Sequence, residues 1–263
     1  MIEGPPPIVR LRGEVDFHSK DRVHEVFDRL LEDGHACIRA DLSDLFYVDS
    51  SGVSALVGCA TKAGKAGGSI ELLGVSDRVS RLLILCGAAQ FFGSTGADLA
   101  NAHGPDGNAP SEGFWHVSDF SLPSVPGAAA VARGRLSEVI RSLPVSLADG
   151  QDVILAVGEA LANAIKHGCK CSPEGRIHVR CVAGSGRLTV EITDTGPGFD
   201  PEVVALPTPH TLTEGGMGIY VMRELVDEVS FSFASGGTMV RLVKHIQCVK
   251  SSDLLGVGEM AGV

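Results

Sequence analysis

The sequence predicts two different α/β domains on one chain. Its 263 residues, 44% of them hydrophobic and 21% charged, exceed what one domain of roughly 100–200 residues usually needs, and each half holds enough apolar side chain for its own core. Strand-like and helix-like periods alternate through the first hundred residues or so, the composition breaks at about residues 93–112, and periodicity then resumes. No internal repeat links the halves, so they are different modules.

Residues 8–16, IVRLRGEVD, alternate apolar and polar with the period of a half-buried strand. Over 20–33, Val23, Val26, Phe27, Leu30 and Leu31 fall at helical spacing, with Gly34 as a stop. ACIRADL (36–42) reads as the next strand, and over 48–58 a strand end turns into a helix. SIELLGV (69–75) and DRVSRLLILCG (77–87) complete a β-α-β-α-β-α order, which is a small α/β domain over residues 1–95. Gly, Ala, Asn, Pro and Ser then dominate, and 96–112 reads as a flexible linker.

The second domain is expected over 113–247. It opens with a strand at 114–120, a helix over about 126–141 and a longer helix over 149–167, whose Val153, Ala156, Val157, Ala160, Leu161 and Ala164 face inward. Strands 176–183 and 187–194 flank Gly184-Ser185-Gly186, a hairpin signal. A Pro- and Thr-rich loop, a helix over 217–227 and strands 229–234 and 238–246 follow. This reads as helices on one face of a mixed, mostly antiparallel sheet, with 248–263 left as a tail.

Bulk properties exclude several classes. A net charge of −10 without a basic run argues against direct nucleic-acid binding, because phosphate contacts need clustered Lys and Arg. No apolar run approaches the ~20 residues that span a bilayer, so the expected location is the cytoplasm. The seven cysteines follow no disulfide or zinc spacing, and Cys169-Lys170-Cys171 reads as a pair of ordinary thiols.

Three segments can hold a nucleotide. In GEALANAIKHG (158–168), Glu159 and Asn163 stand one helical turn apart on one face. The Asn163 amide oxygen can enter an octahedral Mg²⁺ shell, and Glu159 can deprotonate a hydroxyl. Taken alone, such a pair is usually just solvated. In DTGPGFD (194–200), Asp194 can accept from an adenine amino group, while Gly196 and Gly198 let backbone approach a ligand; a tight Gly-Pro turn is an equal account. In EGGMGIYVMRELVDEV (214–229), glycines precede a helix whose free N–H groups suit an anion, and Thr238 later offers a hydroxyl.

In order and spacing these segments resemble the N-box, G1-box and G2-box of the GHKL ATPase superfamily, whose Bergerat fold is an α/β sandwich. The compact form over about 113–247 looks like the anti-sigma factor serine kinases. The resemblance implies ATP and Mg²⁺ as cofactors, Glu159 as catalytic base, Asn163 as metal ligand and Asp194 as adenine acceptor. It further implies Gly198, Gly216 and Gly218 around the phosphates and Thr238 beside the base; Gly196, Met217, Lys166 and His167 are further nucleotide-binding candidates. One departure stands out: family members commonly carry a lid arginine before the glycine pair, and here Leu212-Thr213-Glu214-Gly215 has no basic residue.

Asp49-Ser50-Ser51-Gly52 sits where a strand becomes a helix, so helix capping explains it without further function. A hydroxyl there is nevertheless expected to be exposed, with its phosphate stabilised by free N–H groups. The wider stretch DLSDLFYVDSSGVSALVG, with LRGEVD before it and GVSDRVSRLLILCG after, resembles STAS domains of the anti-sigma factor antagonist type. That resemblance implies Ser50, then Ser51, as phosphoacceptor.

Together the two resemblances imply a partner-switching regulator of transcription. Its serine/threonine kinase domain would phosphorylate a STAS serine, in its own chain or in trans, and so control sequestration of a sigma factor; a homodimer is compatible with this. The alternative is an ATP-gated binding module without phosphoryl transfer, favoured by the missing lid arginine. A histidine kinase is set aside because no phospho-acceptor helix precedes the domain, and the large ATP-driven machines because 248–263 is too short for a transducer domain.

Overall fold

A computed structural model describes residues 5–92, 116–125, 127–143, 145–184, 186–196, 217–234 and 237–246. Contacts divide the chain into two compact units. The first takes residues 1–103 with 158–163 and 199–224; the second takes 104–157, 164–198 and 225–263. The predicted linker 96–112, the lid residues 212–215, Gly198, Gly216 and the tail 248–263 lie outside the described residues.

In the first unit, β1 (Ile8–Val15), α1 (Lys20–Glu32), β2 (Cys37–Val48), α2 (Ser50–Lys65), β3 (Ser69–Leu73) and α3 (Asp77–Leu85) follow the expected order. The strands form a parallel sheet in the order β1-β2-β3, each crossing made by a helix. Two boundaries differ from expectation. Strand β2 continues through Ser43 and Asp44 to Val48, because β1 is long enough to pair with it out to Val15. Helix α2 runs on to Lys65, burying Cys59, Ala60 and Ala63. Its entry is tight. Asp49 is the N-cap, its carboxylate accepting the Gly52 N–H at 2.8 Å, and a Cβ on Gly52 would strike the Val15 carbonyl.

The second unit is built on a five-stranded sheet in the order β4-β5-β6-β8-β7. Its strands are β4 (His116–Pro123), β5 (Arg176–Gly184), β6 (Arg187–Asp194), β7 (Glu228–Ala234) and β8 (Gly237–His245). Every pairing of this sheet among the described residues is antiparallel, where a mixed, mostly antiparallel sheet was expected. Ile177, Val179 and Cys181 on β5, with Leu188, Val190 and Ile192 on β6, are buried while alternate residues are not, so one face packs against helices. The covering helix α4 (Ala128–Arg141) buries Ala132, Leu136 and Ile140. Helix α5 (Leu147–Asn163) gives residues 147–157 to this unit and 158–163 to the first. Lys244 on β8 reaches Asp152 and Asp149 of α5 at 3.5 and 3.6 Å, and donates to the Leu225 carbonyl at the end of α6 (Met217–Leu225).

The long helix expected over 149–167 is not α-helical to its end. After Asn163 it widens into one π-turn, Ala164–Gly168, closed by the Cys169 N–H donating to the Ala164 carbonyl at 2.8 Å. Single π-turns of this kind concentrate at functional sites. Among the described residues no helix is long and apolar enough to cross a membrane.

Candidate functional site

In the first unit the geometry centres on Glu159. It stands on α5 and is 2% exposed, among buried helix neighbours such as Val157, Ala160 and Leu161. A carboxylate at such depth needs partners, and Ser50 supplies two. The Ser50 backbone N–H donates to Glu159 Oε1 at 2.7 Å, and the Ser50 hydroxyl donates to Oε2 at 2.7 Å. Ser50 opens α2, so this N–H is one of the helix's orphan donors and the carboxylate sits where the helix dipole favours negative charge. Ser50 is therefore buried rather than exposed as expected, and the N-cap role belongs to Asp49. Ser51 is half-buried beside it.

Asn163, half-buried, ends α5 one turn beyond Glu159. Gly218, second residue of α6, packs its backbone against both: a Cβ there would lie 2.8 Å from Glu159 Oε2 and 3.6 Å from the Asn163 amide nitrogen. Met217 is buried at the start of the same helix. Nearby, the Cys86 thiol is pushed well above its usual range, first by burial and then by the Glu159 and Asp49 charges, so it stays protonated.

In the second unit the geometry centres on Asp194, the last residue of β6 and buried. Its Oδ1 accepts the Gly196 N–H at 2.8 Å, and its carboxylate also accepts the Thr238 backbone N–H. Burial raises its pKa above the usual carboxylate value, and the two N–H donors pull part of the way back. Three glycines clear the space around it. A Cβ on Gly168 would strike the Asp194 carboxylate, one on Gly196 the Gly168 carbonyl, and one on Gly237 the Asp194 carbonyl. The Thr238 hydroxyl is fully buried and has no hydrogen-bond partner among the described residues, as suits a polar atom that meets a ligand. A cavity of about 310 Å³ opens alongside, lined by Gly168, Cys169, Thr195 and Gly196 among others. This combination fits an adenine edge: one buried acceptor, one buried hydroxyl and backbone without Cβ atoms. Asn163 likewise fits Mg²⁺, which typically takes one or two protein oxygens and completes its shell with phosphates and water.

Lys166 and His167 belong to the π-turn, which changes their phase relative to α5; the His167 pKa is held down by partial burial and the Lys166 charge. Sequence reasoning did not single out Gly158, Tyr47 or Gly168. Gly168 had a readable signal, a glycine ending the Asn163 segment; Tyr47 had none.

Known proteins bear on these residues in two blocks. A histidine kinase-like ATPase domain model matches residues 122–244, which include Glu159, Asn163, Asp194, Gly218 and Thr238. A STAS domain model matches residues 2–102, which include Ser50 and Ser51. The serine-protein kinase RsbW of Bacillus velezensis is 33% identical over 136 residues, covering 49% of this chain and 84% of that protein. The chain belongs to the RsbW serine-protein kinase family. The RsbW of Bacillus licheniformis is 33% identical over 143 residues, covering 51% of this chain and 89% of its own length. The solved RsbU and RsbW domains of a Mycobacterium tuberculosis protein share 19% identity at a TM-score of 0.36, across 50% of this chain and 32% of theirs. The likeness to RsbW covers about half the chain.

Proposed function

We propose that this chain is an ATP- and Mg²⁺-dependent protein serine kinase of a partner-switching system, and that its first acceptor is Ser50 of its own STAS segment. The observation that carries this reading is the hydroxyl of Ser50 donating to Glu159 Oε2 at 2.7 Å. A general base must lie within hydrogen-bond reach of the proton it removes, and Glu159 does. As the Ser50 oxygen bonds to the γ-phosphorus of ATP, its proton passes to Glu159. The bond from that phosphorus to the β–γ bridging oxygen breaks, and ADP leaves with the electron pair.

Asp194 and Thr238 hold the adenine in this reading, Asn163 the Mg²⁺, and Gly196, Gly198, Gly216, Met217 and Gly218 the phosphates, with Lys166 and His167 nearby. Bound Mg²⁺ supplies neutralisation of the phosphate charge. Phosphorylation adds about −1.5 to −2 of charge to Ser50 beside a carboxylate that already occupies the helix N-terminus, so product and base repel. That repulsion frees the kinase segment to bind other partners: a separate STAS protein, or a sigma factor held while the STAS segment is phosphorylated. A homodimer is compatible with this scheme.

The absence of a basic residue in Leu212–Gly215 favours a second reading, an ATP-gated binding module without transfer. Incubation of the full chain with γ-labelled ATP and Mg²⁺, followed by mass mapping, separates them. Label on Ser50 that disappears in Ser50→Ala and Glu159→Ala is expected. ATP binding with no label on this chain or on added STAS proteins would favour the binding module.

A further inference from the structure

We propose that Tyr47 selects the acceptor by seating its ring in the notch left by the missing side chain of Gly158, a contact that rests on the serine-kinase reading above. Both residues belong to the first unit. A Cβ built on Gly158 would fall on the Tyr47 hydroxyl, 2.8 Å from ring atom Cζ and 3.3 Å from Cε2. The end of the Tyr47 ring thus fills the place a side chain would take.

Gly158 lies inside α5, where glycine costs about 1 kcal/mol relative to alanine, and the ring is what requires it. Tyr47 is 3% exposed at the end of β2, with the Arg78 guanidinium of α3 5.4 Å from its ring centre. Tyr47 precedes Ser50 by three residues, and Gly158 adjoins Glu159. The ring seat and the two Ser50 hydrogen bonds therefore fix the acceptor at two places, which sets the direction of its hydroxyl as well as its distance. An acceptor with a bulkier residue than Tyr47, or a kinase helix with any side chain at 158, is rejected by overlap, and specificity by steric exclusion needs no additional attraction.

The test uses the full chain as wild type, Gly158→Ala, and Gly158→Ala with Tyr47→Leu, which removes the ring atoms that the new methyl would meet. Four quantities are measured: the single-turnover rate of Ser50 labelling from γ-labelled ATP, hydrogen exchange at the Ser50 amide, ATP affinity and thermal melting. The new methyl meets the buried ring, so Gly158→Ala should melt below the double variant, in which alanine's helix propensity is gained without the overlap. In Gly158→Ala, labelling should slow by about a hundredfold, as expected for a reacting group displaced by an ångström. The Ser50 amide should exchange faster, ATP affinity should be unchanged, and the double variant should recover both labelling and protection. Labelling and exchange at wild-type levels in Gly158→Ala would overturn the proposal. If neither Ser50 of the wild type nor an added STAS protein carries label, the serine-kinase reading fails. The exchange arm still decides the seat: loss in the single variant with recovery in the double supports it, and unchanged exchange refutes it.

Discussion

At the scale of the residue, buried charge without full compensation marks the site. Asp194 has its pKa raised because burial outweighs the N–H donors of Gly196 and Thr238. A carboxyl whose folded pKa lies above its unfolded value contributes stability that is fully present below the unfolded pKa, here 3.8, and lost as pH rises through the folded value. The ligand-free protein therefore bears a strained carboxylate at neutral pH. Asp194→Asn keeps one acceptor oxygen for the Gly196 N–H and removes the charge. In urea unfolding of ligand-free protein, the variant should exceed wild type at pH 7, and the gap should close as pH falls toward 3.8. ATP binding by the variant should weaken at pH 7. A gap that stays constant with pH would show that the charge is not the source.

At the scale of the element, helix termini do most of the positioning, and the cap is a measurable part of it. The Asp49 carboxylate holds the Gly52 N–H, and this fixes the first turn of α2 from which Ser50 reaches Glu159. Asp49→Ala should cost about 1 kcal/mol in urea unfolding and slow Ser50 labelling, whereas Asp49→Asn keeps a capping oxygen and should do neither to the same degree. Equal labelling rates in both variants would detach the cap from the site. Elements of this kind were largely legible in the sequence, since capping residues, turn glycines and periodicity are local signals: DSSG, the Gly184–Gly186 hairpin and the GEALANA spacing all fell in the expected elements. The π-turn at Ala164–Gly168 was not legible: it ends on Gly168, which packs against Asp194 and Gly196, residues distant in sequence. The burial of Ser50 escaped for the same reason. Its partner lies 109 residues away, and no local pattern records such a pairing.

At the scale of the whole molecule, the proposal that Ser50 is acceptor and Glu159 base on one chain makes the order of reaction the informative quantity. The Ser50 hydroxyl donates to Glu159 of the same polypeptide, so transfer should be first order in protein. Two partners joined on one chain meet at an effective concentration of up to the millimolar range, so at about 1 µM protein the intramolecular rate should exceed an otherwise equal bimolecular one by roughly a thousandfold. Two full-length variants make the comparison. Ser50→Ala retains the base but offers no acceptor hydroxyl, and Glu159→Ala retains the acceptor but not the base; mixed, they can transfer only between chains. The wild-type rate constant should stay unchanged over tenfold dilution, while the rate constant for Glu159→Ala labelling in the mixture should fall in proportion to concentration. Equal rates in the two preparations, both falling on dilution, would instead mean that each chain serves a neighbour's serine. The bond between Ser50 and Glu159 would then describe a resting state rather than the reactive one.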